Sequence, residues 1–262
     1  MIEKIFTDFF RKENIKYFSC LSVEKCKLLY PKKLPEYTKS VCFFLIPYYF
    51  RDDEKRNVSI YAVPRDYHLY IKEMSDRFEE VRESFGVSAE YRFFADNSPF
   101  CERSCAEVGG LGRKGKNGLI INPEYGSFVF IGCICFSLPV SISHTAENFK
   151  CDLCVNCEKC KTFCPITRGK CSECLSALTQ KKKITQEEAE IISEFPLKWG
   201  CDICQSICPY NQNIPDTPIS FFRENRIANV TPELLSEMTD EEFSQRAYSW
   251  RGKGVIERNT KL

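Results

Sequence analysis

Ten of the chain's 17 cysteines fall between residues 151 and 208. Residues 154–165 read CVNCEKCKTFCP, a C-x2-C-x2-C-x3-C-P spacing. In that spacing three thiolates wrap three corners of a 4Fe–4S cubane, and the fourth, set before the proline, ligates a second cluster. A second run must therefore exist. Residues 201–209, CDICQSICP, supply C-x2-C-x3-C-P with one upstream ligand missing. Cys174 or Cys171 can provide it across the intervening loop. With Cys174 in that role, the first cluster takes Cys154, Cys157, Cys160 and Cys208, and the second takes Cys164, Cys174, Cys201 and Cys204. Zinc favours paired C-x2-C knuckles closing one four-ligand site, which leaves two separate C-x3-C-P endings unexplained. An odd cysteine count without a secretion signal also argues against a disulfide framework. The remaining cysteines, Cys20, Cys26, Cys42, Cys101, Cys105, Cys133 and Cys135, are expected to be small buried hydrophobes.

The rest of the chain must position these ligands and give their electrons a destination. Its 262 residues are 43% hydrophobic, enough for one large domain or two modest ones. A formal net charge of +1 provides no global field for nucleic acid or membrane, so any polyanion must meet a local patch. The apolar runs Val41–Phe50 and Phe128–Val140 are too short to span a bilayer, and MIEKIFTDFFRKENIKY has no signal-peptide layout; a cytoplasmic protein is expected. Residues 1–30 read as helical, Val41–Tyr48 as a buried strand, and Tyr67–Phe85 as an amphipathic helix. RDDEKRN at 51–57 reads as a charged loop and Tyr91–Ala95 as a strand. Ser98–Pro99 has the form of an N-cap followed by proline at the first helical position. GGLGRKGKNG at 109–118 holds five glycines, so its backbone turns tightly or approaches something closely. Leu119–Ile121 and Phe128–Phe136, joined by NPEYG, suggest a hairpin. Thr185–Glu194 opens with a capping box, and Pro232–Ala247 is an acidic helical segment before a basic tail. No dinucleotide fingerprint is present: the glycine-rich loop lacks the strand-G-x-G-x-x-G-helix context.

Several segments, in order, carry a resemblance: RDYH at 65–68, FFADNSP at 93–99, GGLGRKGKN, INPEYGSFVFIG at 121–132, both cysteine runs, CLSALTQ at 174–180 and SWRGKGVIERN at 249–259. Together they resemble the epoxyqueuosine reductases, cobalamin-dependent iron–sulfur enzymes of queuosine tRNA modification. The resemblance implies an α+β fold: a nitroreductase-like cobalamin-binding α/β domain at 1–145, a ferredoxin-like double 4Fe–4S domain at 146–215, and a C-terminal helical segment and basic tail at 216–262 packing back on the core. The plan is similar to that of reductive dehalogenases. The implied chemistry is reduction of epoxyqueuosine to queuosine, with cob(I)alamin fed by the two clusters. Ring opening needs a proton at the departing oxygen, and the matched acid is Asp96 in ADNSP. Burial beside the corrin would raise its pKa. The resemblance also implies cofactor contacts from Asp66, His68, Asp96, Ile120, Ile131, Ser176 and the Cys201–Asp202 backbone.

Read from the residues alone, Asp96 is a helix-initiating aspartate, Asp66 and His68 open an amphipathic helix, and Ile120 and Ile131 are sheet core. The expected partners are a tRNA anticodon loop and an external low-potential electron donor, with the chain a monomer. Longer members of the family continue into helical repeats that help hold tRNA; here Lys181–Lys183, Arg251, Lys253, Arg258 and Lys261 can supply phosphate contacts, and the lysine run reads equally as a solvated loop. The glycine-rich loop carries Arg113–Lys114 where the family has Trp and a neighbour. Two other functions fit the residues: a cobalamin-dependent reductase of a small molecule, and a two-cluster electron carrier. Cobalamin binding separates the carrier from the two enzymes.

Overall fold

The computed structural model describes residues 2–51, 55–143, 149–169 and 173–262. Cys171, part of the charged loop at 51–57, and the expected domain boundary at 145 lie outside the described residues. Four strands, β1 (Phe18–Ser22), β2 (Ser40–Pro47), β3 (Tyr91–Ala95) and the long β6 (Val129–Phe136), form an antiparallel sheet in the order β1-β2-β6-β3. A two-stranded ribbon pairs β4 (Arg113–Lys114) with β5 (Ile120–Ile121).

The sheet is covered on both faces, which is why β2 reads as an unbroken apolar run. Successive side chains alternate between faces. Cys42, Phe44 and Ile46 point toward α1 (Ile2–Lys12) and α2 (Tyr67–Ser84), which contribute Phe6, Phe9, Phe10, Met74 and Phe78. Val41, Phe43 and Leu45 point the other way, toward α3 (Glu102–Val108) and its Cys105 and Ala106. Gly132 of β6 lies beneath the Phe44 ring; a Cβ there would stand 2.4 Å from it, so only glycine lets the ring settle on the strand.

Beyond β6 the chain forms short helices: α4 (Asp152–Val155), α5 (Lys159–Phe163), α6 (Leu175–Thr179), α7 (Gln186–Ser193) and α8 (Ile203–Ser206). Their own core is small, built on Leu175, Leu178 and Ile192. Then come α9 (Pro232–Glu237), α10 (Asp240–Ser244) and α11 (Lys253–Thr260). These pack with Trp199 against Val58, Ala62 and Val63, returning the C-terminal segment to the core. The buried Asn259 of α11 donates to Thr179 O at 2.7 Å and Lys198 O at 2.9 Å.

The strand over 41–48, the helix from Tyr67, the strand over 91–95 and the Thr185 capping box form as expected. Four expectations need correction. Residues 1–30 are not one helix: α1 stops at Lys12, Asn14 turns through φ 56°, and Phe18–Ser22 joins the sheet edge. Ser98–Pro99 does not start a helix; α3 begins at Glu102, and Ser98 Oγ instead accepts from the Phe100 amide at 3.3 Å. The hairpin between 119–121 and 128–136 does not form. β5 pairs with β4, and Asn122 closes a tight turn by accepting from the amides of Glu124 and Tyr125, both at 3.0 Å. Pro232–Ala247 is two helices, because Thr239 restarts the chain with a second capping box.

Candidate active site and cysteine ligand sets

The antiparallel arrangement brings the C-terminal ends of β2 and β3 and the N-terminal end of β6 to one edge of the sheet. A cavity of about 640 Å³ opens there, within the range of ligand sites. The strand ends supply Tyr48, Asp96, Asn97, Val129 and Phe130; the first turn of α2 supplies Asp66, Tyr67 and His68. The opposite wall is made by Ser176 and Gln180 beside Cys174 and by Gln205, the residue after Cys204. Tyr61, Leu119 and Trp250 complete the enclosure.

Asp96 leaves β3 with φ 57°, in the left-handed region that aspartate tolerates better than most residues. Such strain costs roughly 1–3 kcal/mol and survives where the surroundings dictate it. Asp96 is exposed to solvent at the cavity, with protein packed close to its carboxyl. Burial raises its pKa, and the nearby Asp66 carboxylate raises it further. Asp66 caps α2: its Oδ1 accepts from the His68 amide at 2.9 Å and pairs with His68 Nδ1 at 2.8 Å. The cavity therefore holds a carboxyl that stays protonated to higher pH than usual, beside an aspartate occupied in hydrogen bonding.

Of the residues singled out from sequence, Asp66, His68, Asp96 and Ser176 meet in this cavity. Ile120 and Ile131 sit in and against the core on the α3 side of the sheet, while their chain neighbours Leu119 and Phe130 line the cavity. A one-residue step reverses the face a strand side chain occupies. Asp202, 1% exposed, instead forms a hub: its carboxylate accepts from Ser59 Oγ at 2.5 Å and the Ile60 amide at 2.9 Å, and pairs with Arg56 at 3.3 Å. It thereby ties the second cysteine run to the segment carrying Tyr61. Sequence reasoning passed over Tyr48, Tyr61, Gln180, Gln205 and Trp250. The signal for two of them was adjacency to the cysteine runs: Gln205 follows Cys204 and Gln180 closes CLSALTQ.

Gln205 also braces the site. Its Nε2 donates to Ser127 O at 2.9 Å and to Tyr48 Oη at 3.2 Å. Asn211 adds bonds from Nδ2 to Ser127 Oγ at 2.8 Å and Gln205 O at 2.7 Å. Gly126, at φ 57°, makes room for it; a Cβ would fall 1.9 Å from Asn211 Oδ1.

The cysteines separate into two groups by mutual influence. Burial raises the Cys208 thiol, and Cys154, Cys160 and Cys157 raise it further. These four thiols line one small apolar pocket with Ile121, Leu153 and Pro209. The Lys116 amide of the glycine-rich loop points at Cys154 Sγ from 3.2 Å. Burial likewise pushes Cys201 to about 11, with contributions from Cys174 and Cys164. Cys204 rises to about 12 through burial and then Cys201, Cys174 and Cys164. Cys160 is the next contributor at Cys204, so the two groups adjoin. Burial opposes ionisation of Cys201, Cys204 and Cys208, and a metal centre would supply the missing counter-charge. Both groups match a 4Fe–4S cluster in donor type and number, while among the described residues no three His, Cys, Asp or Glu side chains are gathered closely enough to hold a metal ion. The cavity has aromatic walls from Tyr48, Tyr61, Tyr67, Phe130 and Trp250, with polar groups from Asp66, Ser176 and Gln180.

Most basic residues expected to meet phosphate are engaged within the chain. Arg258 donates to Lys181 O at 3.0 Å and Lys182 O at 3.1 Å, Lys181 pairs with Glu188 at 2.6 Å, Lys261 with Glu257 at 2.6 Å, and Arg251 stacks on Trp250 at 3.8 Å. Lys182 and Lys183 are exposed. Among the described residues no helix is long and apolar enough to cross a membrane.

The family described as Epoxyqueuosine reductase QueG, DUF1730 matches residues 29–97. An epoxyqueuosine reductase from Cyclobacterium marinum is 35% identical over 243 residues, covering 84% of this chain and 73% of that protein. The epoxyqueuosine reductase of Bacillus subtilis, solved with an aspartate catalytic loop swung out of its active site, has a TM-score of 0.73 at 20% identity, over 99% of this chain and 81% of that one. An epoxyqueuosine reductase solved with an epoxyqueuosine-modified tRNA-Tyr stem loop also gives 0.73 at 20% identity, over 99% and 80%.

Proposed function

The chain belongs to the epoxyqueuosine reductase family, and we propose that it reduces the epoxide of epoxyqueuosine in tRNA to the alkene of queuosine. The reaction consumes two electrons and two protons, and the epoxide oxygen leaves as water. The single observation that carries this reading is the position of Asp96, a carboxyl with raised pKa, opposite a wall built from the residues beside Cys174 and Cys204. When bound, a corrinoid supplies a cobalt nucleophile for the epoxide carbon, and two 4Fe–4S clusters supply its electrons.

The chain's own residues then have distinct tasks. Asp96 delivers a proton to the departing oxygen, and its raised pKa keeps that proton to higher pH than an ordinary aspartate would. Asp66 and His68 hold the first turn of α2 at the cavity and sustain the charge that disfavours ionised Asp96. Ser176 and Gln205 place the second cysteine set next to the cavity, and Tyr67 and Phe130, whose rings stack at 4.1 Å, form a flat apolar wall that keeps water out. In this reading Cys154, Cys157, Cys160 and Cys208 hold the outer cluster, and Cys164, Cys174, Cys201 and Cys204 the inner one. The chain divides into a nitroreductase-like cobalamin domain at 1–145, a ferredoxin-like domain at 146–215, and a C-terminal segment that clasps both.

The test uses protein reconstituted with iron, sulfide and cobalamin, and tRNA carrying epoxyqueuosine. Asp96→Asn is expected to slow turnover by about 10²–10⁴-fold with cluster and corrinoid absorption unchanged. Nucleoside analysis measures the product; retained turnover removes Asp96 from the mechanism.

A further inference from the structure

The run that wraps the first cysteine set exposes an unusual amount of apolar surface. Val155 is 65% exposed, Phe163 47% and Ile166 39%, while Leu153, 60% exposed, also borders the pocket of the first cysteine set. Among the described residues only five other large hydrophobics are as open, and they are scattered from Leu29 to Leu262. Scattered single residues mean little, but a concentration over one metal-binding run marks an interaction surface. Charge accompanies it. Lys150, Lys159, Lys161 and Arg168 are exposed in the same run, against the acidic Asp152 and Glu158. Glu158 is already neutralised, by Lys116 and by Lys161 at 3.1 Å. Cys154, Cys157 and Cys160 are only half-buried beneath this surface, whereas Cys208 closes the pocket from inside. The cavity carrying Asp96 is walled in part by Ser176 and Gln205, close in sequence to Cys174 and Cys204 of the other set.

We propose that this face docks a small acidic one-electron carrier protein of the flavodoxin class, which passes electrons to the first cluster. The proposal rests on the iron–sulfur reading above. Apolar residues inside a basic rim match an acidic carrier whose redox group lies at its own surface. Redox encounters of this type are small and transient, and opposite charge accelerates them. In each encounter one electron leaves the carrier's reduced flavin and reduces the cluster by one, with no bond made or broken. RNA is the less favoured occupant, because phosphate contacts need the bases but not Val155, Phe163 and Ile166 in water.

The experiment follows cluster bleaching by stopped flow after mixing reconstituted protein with flavodoxin hydroquinone. The variants are a charge pair, Lys150→Glu with Arg168→Glu, and an apolar change, Ile166→Ser. Dithionite, a small reductant needing no docking surface, serves as reference. Each variant is expected to lose at least tenfold in the second-order rate with flavodoxin, with native absorption and native dithionite reduction. The native rate should fall steeply with salt, and that dependence should flatten in the charge variant. Unchanged flavodoxin rates in both variants overturn the docking face. So does a loss confined to tRNA binding, or a self-association of the native chain that Ile166→Ser abolishes. Failure of the native protein to show cluster absorption overturns the iron–sulfur reading instead.

Discussion

The molecule carries two populations of cysteine in two kinds of surroundings. Cys20, Cys42, Cys133 and Cys135 lie in the sheet, almost wholly out of solvent, and burial is the main cause that raises the thiols of Cys133 and Cys135. They behave as small apolar residues between layers of phenylalanine. Cys154, Cys157, Cys160, Cys164, Cys201 and Cys204 are half-buried and Cys174 is exposed, on helices of four or five residues or the loops beside them. Helices that short do not persist alone. The sheet region is held by its core, and the 151–208 region needs another source of order. On the iron–sulfur reading its cysteine sets would provide one, because a metal centre binds only the folded arrangement.

Removing iron tests that contrast most severely. Chelation under reducing conditions is expected to abolish amide protection across 151–208 while protection in β2 and β6 persists. Hydrogen exchange read by mass spectrometry checks this, and uniform protection after chelation would refute the division. The converse change attacks the sheet. Phe44→Ala removes a ring that touches both Phe10 and Gly132 and is expected to cost about 3–5 kcal/mol in denaturant titration, with cluster content per folded molecule unchanged. Between the regions lies Asn259. Asn259→Ala leaves the carbonyls of Thr179 and Lys198 buried without this donor, an expected loss of about 1–3 kcal/mol and a faster loss of the second cluster than of the first on exposure to air.

The smallest effect concerns protons. The folded-state pKa of Asp96 lies above its unfolded value, so the folded state binds more protons between the two. Stability therefore falls as pH rises through that window, and Asp96→Asn removes this dependence. The variant is expected to gain thermal stability relative to the native chain at neutral pH and to lose that gain in acid. In the native enzyme, turnover should decline as pH rises through the raised pKa, because the donor is then deprotonated.

Where sequence patterns follow local physics, they were readable in advance. The C-x2-C-x2-C-x3-C-P spacing, the unbroken apolar run of β2 and the 3.6-residue period of α2 each depend on neighbours along the chain. Ile120 and Ile131 show the limit. Their apolar character fits either face of a strand, and the register that turns Phe130 rather than Ile131 toward the cavity is fixed by β2. Asp202 was noted for its backbone, yet its side chain makes three contacts with residues more than 140 positions away, which no local pattern encodes. Ser98–Pro99 had the form of a helix start, but the bridge between Leu28 and Phe100 holds that stretch extended.

The bonds from Asn259 also impose an order in time. The second cysteine set is assembled from Cys164, Cys174 and the pair at 201–204, and the carbonyls flanking its two arms are clasped by a residue more than 50 positions further on. During synthesis the thiols emerge first and the clasp last. The second cysteine set therefore reaches its final shape only after residue 259 has left the ribosome, a late step in the life of the chain, separate from the early folding of the sheet.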